Sequence, residues 1–419
     1  MSTSSLSFCM VTTFYPPHNF GGDGIYVHRL SNELARRGHR VTVVSAPDAF
    51  AVLGGKAGMS PPQHENVILE PLEPRLGRLG PLVTYLSGRP GLRARQLDEL
   101  FAREPFDVVH FHNVSLVGGP GVLAYGDGVK LYTTHEHWLV CPMHTLWRNN
   151  REPCPEPKCL RCTLAFRRPP QLWRYVSSLE RQTSHVDLFL SPSRFTIDKH
   201  RERGFAGPMR HLPYFTPLDD DEPLGARETP PRPYFLVVGR LERLKGVHTL
   251  IELFRRYDSA DLVVVGTGTY GDELQKQAAG LEHVRFTGAL PFDTLRTLYK
   301  EAVAVLAPSV GYETFGMMTI EAFARKTPAI VRDLGGLPEP VRESGAGFVY
   351  RDDAELLEAM EALRTDTALR TELGQRGHLA YLERWAPEPH LRAYFALIEQ
   401  ASDRRAARLR TRSHTEGKT

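Results

Sequence analysis

No apolar run of about eighteen residues occurs anywhere in the 419-residue chain, so a membrane-crossing helix is not expected. The opening stretch, "MSTSSLSFCMVTTFYPP", lacks a basic segment before its apolar part and a small-residue cleavage site, so a secretory leader is not expected either. A cytoplasmic location, extending to the inner face of a membrane, is the resulting expectation. Net charge is also scarce: 52 Lys+Arg against 49 Asp+Glu leave +3, too little to argue for a nucleic-acid partner. Cysteine is rarer still, with five in all, which excludes a disulfide framework for a chain this long.

What is present is a repeated strand-and-helix grammar. "SFCMVTTFY" leads through the turn "PPHNFGGDG" into "IYVHRLSNELARRGH", where Ile25, Leu30 and Leu34 fall near helical spacing and Gly38 is a stop. "RVTVVSA", "NVILEPL", "FDVVHFHN", "VKLYTTHEH" and "VDLFLSPS" come next, several of them continuous apolar runs suited to parallel strands buried on both faces. A Pro- and acid-rich break without periodicity then reads as a linker, residues 217–233. Beyond it the grammar restarts with "YFLVVGR", "ADLVVVGTG", "HVRFTGAL", "AVAVLAPS" and "PAIVRDLGG". Two such arrays predict an α/β protein of two doubly wound Rossmann-like domains, residues 1–216 and 234–385. Binding residues are then expected on the loops after the strands, facing a central cleft. Residues 386–419 are expected to form a carboxy-terminal helix returning to the first domain, ending in a basic tail that reads as a frayed, solvated terminus.

The second array carries most of the chemistry. "RLERLKG" places Arg240 and Lys245 between a strand end and a helix start, an anion site suited to a diphosphate. "VVVGTGTYGDEL" contains G-x-G-x-x-G at Gly266, Gly268 and Gly271, but no acid closes the next strand, which weakens a dinucleotide reading. "GYETFGMMTIEAF" sets Glu313 just before a helix and Glu321 about two turns inside it. Backbone N–H groups over Thr314, Phe315, Gly316 and Met317 are free to meet an anion or sugar hydroxyls. An ionised carboxylate only accepts hydrogen bonds and is able to grip a vicinal diol, so two separated ones suit two diols.

"GRLERLKG", "GTG", "YETFGMMTIEA" and "DLGGLPE" together resemble the second domain of the retaining, two-Rossmann-domain (GT-B) glycosyltransferases of family 4, whose E-x7-E pair matches Glu313 and Glu321. The opening "FYPPHNFGGDGIYVHRLSNELARRGHRVTVVS" resembles the same family, so nearly the whole chain is covered. The resemblance implies a retaining hexosyltransferase that takes a sugar from a nucleoside-diphosphate sugar to an acceptor hydroxyl and needs no cofactor for catalysis. It implies that Arg240 and Lys245 hold the diphosphate, Glu321 the ribose, and Glu313 with the backbone after it the sugar. The Gly21-Gly22 turn is expected beside the phosphates or acceptor. His135, in "TTHEH", matches the family's histidine beside the donor sugar, with Glu136 where Asp is usual and Thr314 where Gly or Pro is usual. A nucleotide-sugar epimerase and a non-catalytic sugar-nucleotide sensor are the competing readings on the same scaffold.

The first array adds histidines at strand ends, His110, His112, His135 and His137, and a cysteine loop over residues 141–162. Cys141, Cys154, Cys159 and Cys162 are spaced C-x12-C-x4-C-x2-C, for which structural zinc is the leading reading, ahead of redox cysteines and an iron–sulfur cluster. Arg167, Arg168 and Arg174 then interleave with Phe166, Trp173 and Tyr175, suited either to an anionic or lipid-linked acceptor and peripheral membrane contact or to packing.

Overall fold

The computed structural model describes residues 5–55, 57–58, 60–73, 79–149, 151–218 and 232–416. Most of the expected linker, residues 219–231, lies outside them. The chain divides into two compact units. The first comprises residues 1–144, 157–212 and 391–419, and the second residues 145–156 and 213–390.

Strands β1 (Ser7–Val11), β2 (Arg40–Ser45), β3 (Val67–Pro71), β4 (Val108–Phe111) and β5 (Val129–Thr133) form where the sequence alternates strands with helices. A short antiparallel hairpin, β6 (Trp147–Arg148) with β7 (Glu152–Pro153), interrupts the series before β8 (Leu188–Ser191) and β9 (Met209–His211). The first sheet has seven parallel strands in the order β3-β2-β1-β4-β5-β8-β9. Its inner strands are buried on both faces, with Val11, Val44, Val109, Phe111 and Phe189 in one core, while the edge strand β3 exposes Ile68 and Leu69. The helix Gly22–Arg36 buries Val27, Leu30 and Leu34, the period expected of an amphipathic helix, and Gly38 ends it at φ 85°.

In the second unit β10 (Tyr234–Val238), β11 (Asp261–Val265), β12 (Val284–Gly288), β13 (Ala304–Ala307), β14 (Ala329–Arg332) and β15 (Gly347–Tyr350) form a parallel sheet ordered β12-β11-β10-β13-β14-β15. Both sheets therefore reverse direction once, between β1 and β4 and between β10 and β13. Such switch points open a crevice at the carboxyl ends of the strands. The fold is thus the expected pair of doubly wound α/β units.

The basic tail departs from the expectation of a frayed end. A helix runs over Pro387–Glu416, and its Arg405 and Arg408 reach the first unit. Arg408 donates to Asp187 Oδ1 at 2.5 Å and to the Ser184 carbonyl at 2.8 Å, while Arg405 donates to the Asp127 carbonyl. Asp187 is itself buried, so these cations neutralise a carboxylate that burial alone would disfavour.

Candidate functional site

The second unit's switch point gathers the loops after β10 and β13. Lys245 ends a single 3₁₀ turn, Arg243–Lys245, and donates through Nζ to Glu313 Oε1 at 2.6 Å. Ser309, two residues beyond β13, donates to the same oxygen at 2.7 Å. Glu313 Oε2 takes no hydrogen bond among the described residues, and the side chain is only 13% exposed. One carboxylate oxygen is thus anchored from two sides. Gly335 completes the seat: at φ 69° it sits so close that an added Cβ would lie 2.8 Å from the Glu313 backbone nitrogen and oxygen. Gly336 N–H donates to the Glu313 carbonyl at 2.8 Å.

Arg240 has a different partner. It donates to Glu242 Oε1 at 2.9 Å, and Glu242 Oε2 accepts from Thr269 at 2.6 Å. Lys245 and Glu313 are therefore brought together directly, whereas Arg240 is oriented through Glu242. Gly266 and Gly268, in the G-x-G-x-x-G stretch, lie against the loop after β10. At Gly266, with φ 132°, a Cβ would fall 1.9 Å from the Gly239 carbonyl oxygen. These glycines let two backbones cross, and Leu241 N–H donates to the Thr267 carbonyl at the crossing.

The helix after Glu313 spans Met317–Ala324, with Gly316 before it and Thr314 outside. Phe315 is buried edge-on against Tyr214, ring centroids 5.3 Å apart. Glu321 is not a surface acid. It is 8% exposed and accepts from the Tyr299 hydroxyl at 2.8 Å, which fixes the direction of its carboxylate. Gly311, at the start of this loop, leaves room for Leu244 and Trp147; the Trp147 ring edge would lie 3.4 Å from a Cβ there. The hairpin β6–β7 thus packs on the second unit.

In the first unit, the Gly21-Gly22 turn opens the helix Gly22–Arg36, and Asp23 there accepts from Asn113, just after β4, at 3.3 Å. His112 Nδ1 and His135 Nε2 lie 2.9 Å apart with the rings stacked at 5.1 Å, and Tyr26 meets His135 edge-on. Burial holds the His135 imidazole down to about 3 and pushes His112 well below its ordinary range. Both rings are neutral at pH 7, so the contact is one N–H donated to one lone pair. His110 plays no such part: its two nitrogens pair with Tyr394 and Thr133, a satisfied core histidine. His137 is buried too, and neither ring nitrogen has a hydrogen-bond partner among the described residues.

The cysteine loop does not build the expected zinc centre. Among the described residues no three His, Cys, Asp or Glu side chains are grouped to hold a metal ion, and none of the cysteines forms a disulfide. Cys154 ends the hairpin of the second unit, and in the first unit Cys141 is buried and Cys159 and Cys162 lie on the helix Cys159–Ala165. Cys154 Sγ donates to the Glu156 carbonyl at 3.2 Å.

Ser309, Tyr299, Glu242 and Trp147 were not singled out from sequence. Ser309 alone carried a signal, as the hydroxyl closing "AVAVLAPS" four residues before Glu313.

Two α/β units, with an anchored carboxylate and a lysine at the second one's switch point, define a GT-B enzyme. Residues 20–220 match the family described as Glycosyltransferase Family 4, and residues 221–379 match Glycosyl transferases group 1. Glycogen synthase of Mycobacterium tuberculosis is 31% identical over 385 residues, 86% of each chain. Alpha-maltose-1-phosphate synthase of the same organism is 27% identical, over 88% of this chain and 92% of its own. Among solved structures, sucrose-phosphate synthase of Thermosynechococcus elongatus superimposes with a TM-score of 0.68 at 20% identity, covering 94% of this chain and 98% of its own. Anabaena HepE in complex with UDP and glucose gives 0.65 at 17% identity, covering 94% and 100%. The chain belongs to the group 1 glycosyltransferases, with a family 4 amino-terminal domain, and is a transferase of sugar. Among the described residues no helix is long and apolar enough to cross a membrane.

Proposed function

We propose that the chain moves a hexose from a nucleoside-diphosphate sugar to an acceptor hydroxyl with retention of configuration. Residues 234–385 are read as the donor domain and residues 1–216 as the acceptor domain. The observation that carries the reading is the Glu313 carboxylate, anchored on one oxygen by Lys245 and Ser309 with the other oxygen unbonded. Glu313 would hold the donor sugar, together with the backbone of Thr314 to Met317. Lys245 and Arg240 would neutralise the diphosphate as the bond from the anomeric carbon to the phosphate oxygen breaks, and Glu321, aimed by Tyr299, would hold the ribose. The Gly21-Gly22 turn and the Gly266–Gly268 loop are read as donor-side backbone.

No side chain of the site is read as a covalent nucleophile. The acceptor oxygen would attack on the face the diphosphate leaves, and the leaving phosphate oxygen would take the acceptor's proton. His135, neutral and held by His112, would hydrogen-bond the sugar. No step runs through a metal. The M. tuberculosis synthases and the UDP-bound HepE favour a nucleotide-sugar donor, while polysaccharide, lipid-linked and natural-product acceptors all fit the reading. The test is nucleoside-diphosphate release from UDP-, GDP-, ADP- and dTDP-sugars, with Glu313→Ala beside the parent protein. Slow release from one donor, lost in the variant, is the expected outcome. Failure to bind every donor sinks the reading.

A further inference from the structure

The helix Leu79–Ser87 is inside out. It buries Gly80, Pro81 and Thr84, its small or polar positions, and exposes Leu79, Leu82, Val83 and Leu86. Those four fall at i, i+3, i+4 and i+7, one complete face of a helix, and amphipathic folding would place that face in the core. The first unit's core does not take it.

Two further elements extend this face. The 3₁₀ turn Leu172–Tyr175 is tied to the helix by Trp173 Nε1, which donates to the Tyr85 carbonyl at 3.0 Å, and by the Tyr85 hydroxyl, which donates to the Pro169 carbonyl at 3.0 Å. Leu172, Tyr175 and Val176 are all exposed there, Leu172 by 69%. The helix Cys159–Ala165 precedes that turn in the chain, with Cys159 near enough to act electrostatically on Arg174 and Tyr175, and it exposes Leu160 and Leu164, one turn apart. Two short elements tied to one another, and a third beside the second, thus turn apolar side chains outward, beyond the scattered exposure of an ordinary surface.

The charge around them is mostly of one sign. Residues 157–179 hold Lys158, Arg161, Arg167, Arg168 and Arg174 and no acid, and Arg89 follows the helix Leu79–Ser87, while Arg93 and Arg95 are paired with Asp48 and Glu99. Arg89, Arg161, Arg167 and Arg168 are exposed, and among the described residues none of them has a carboxylate partner. An apolar face rimmed by unneutralised arginines matches an anionic lipid surface, where the side chains enter the acyl boundary and the guanidinium groups meet phosphates. An acidic protein would satisfy the arginines but leaves unexplained a leucine face spread over three separate elements.

We infer that the first unit docks through the helix Leu79–Ser87 and the segment Cys159–Val176 onto a membrane leaflet containing anionic lipid. The docking stands on this surface alone; that it brings a lipid-linked acceptor to the enzyme rests on the glycosyltransferase reading. The test is co-sedimentation of the full chain with vesicles of phosphatidylcholine containing roughly 30 mol % phosphatidylglycerol, against phosphatidylcholine alone. The parent chain is expected to sediment with the anionic vesicles and to be released as salt rises. Leu82→Ser with Leu86→Ser, and separately Arg167→Glu with Arg168→Glu, are each expected to weaken partitioning by at least about tenfold. Both pairs change exposed positions, so an unaltered melting transition and unaltered nucleoside-diphosphate binding serve as controls of folding. A parent chain that stays in solution overturns the inference. So does binding that ignores either the lipid charge or both variant pairs. Donor hydrolysis on the same samples reports on the transferase reading independently.

Discussion

At the scale of single residues, the proposed chemistry of the second unit would rest on how two carboxylates are aimed. Glu313 has two donors on one oxygen, so Glu313→Gln keeps the shape but removes the charge that Lys245 meets. Donor hydrolysis or transfer is expected to fall by about a hundredfold, measured as initial rates at saturating donor. An unchanged rate would remove Glu313 from the chemistry. Glu321 accepts from the Tyr299 hydroxyl, and Tyr299→Phe deletes that donor at a cost of about 1 kcal/mol in stability. If Glu321 holds the ribose as proposed, its clearer mark is expected in the donor's KM, raised several-fold with kcat nearly preserved, because such a contact would be made equally in ground and transition states. A fall in kcat with KM unmoved would contradict this role. Glu313 and Glu321 were legible in sequence because their spacing around a Phe-Gly pair is distinctive. Tyr299 was not, because a tyrosine 22 residues away on another helix leaves no local pattern.

At the scale of elements, the apolar runs were read correctly wherever a strand is buried on both faces, since nothing but hydrophobicity decides such a strand. The misses were short or marginal. The edge strand β9 is three residues, Met-Arg-His, and the hairpin β6–β7 has two residues a side, too few for a period to show. The cysteine spacing is not matched by a grouped metal site among the described residues, and a ligand count cannot show the hairpin that forms between Cys141 and Cys154. The glycine stretch after β11 shows how a motif can be present for another cause. Gly266 permits two loop backbones to cross, so Gly266→Ala must move the Gly239 carbonyl or leave its own φ of 132°. A loss of about 2 kcal/mol in the second unit is expected, read by scanning calorimetry as a lowered transition for that unit alone. A transition that stays in place would show that the crossing relaxes freely.

At the scale of the whole molecule, the buried histidines make stability depend on pH. His112, His135, His137 and His200 belong to the first unit, and burial lowers each below its ordinary value, His135 to about 3 and His200 to about 4. In the second unit, burial lowers His390 to about 3 and also lowers His248. A lowered folded value means that the unfolded chain takes up protons first. The stability is therefore complete above about pH 6.5 and is lost as pH falls toward the folded values. Each such histidine contributes a slope of about 1.4 kcal/mol per pH unit in that window. With more of them in the first unit, acidification from pH 7 to 5 is expected to unfold that unit before the second, as tracked by hydrogen exchange. Simultaneous loss of both would count against this distribution.

The division of the chain also bears on its birth. The second unit is almost one continuous stretch, residues 213–390, whereas the first is closed only by the carboxy-terminal segment, residues 391–419. Tyr394 stacks on His110 and bonds its Nδ1 at 2.9 Å across 284 positions, and Arg408 neutralises the buried Asp187. A ribosome delivers those partners last, so the first unit waits through nearly the whole of synthesis with His110 lacking Tyr394 and Asp187 lacking Arg408, while the second has all its parts already. The half of the protein that is translated first is the half that is finished second.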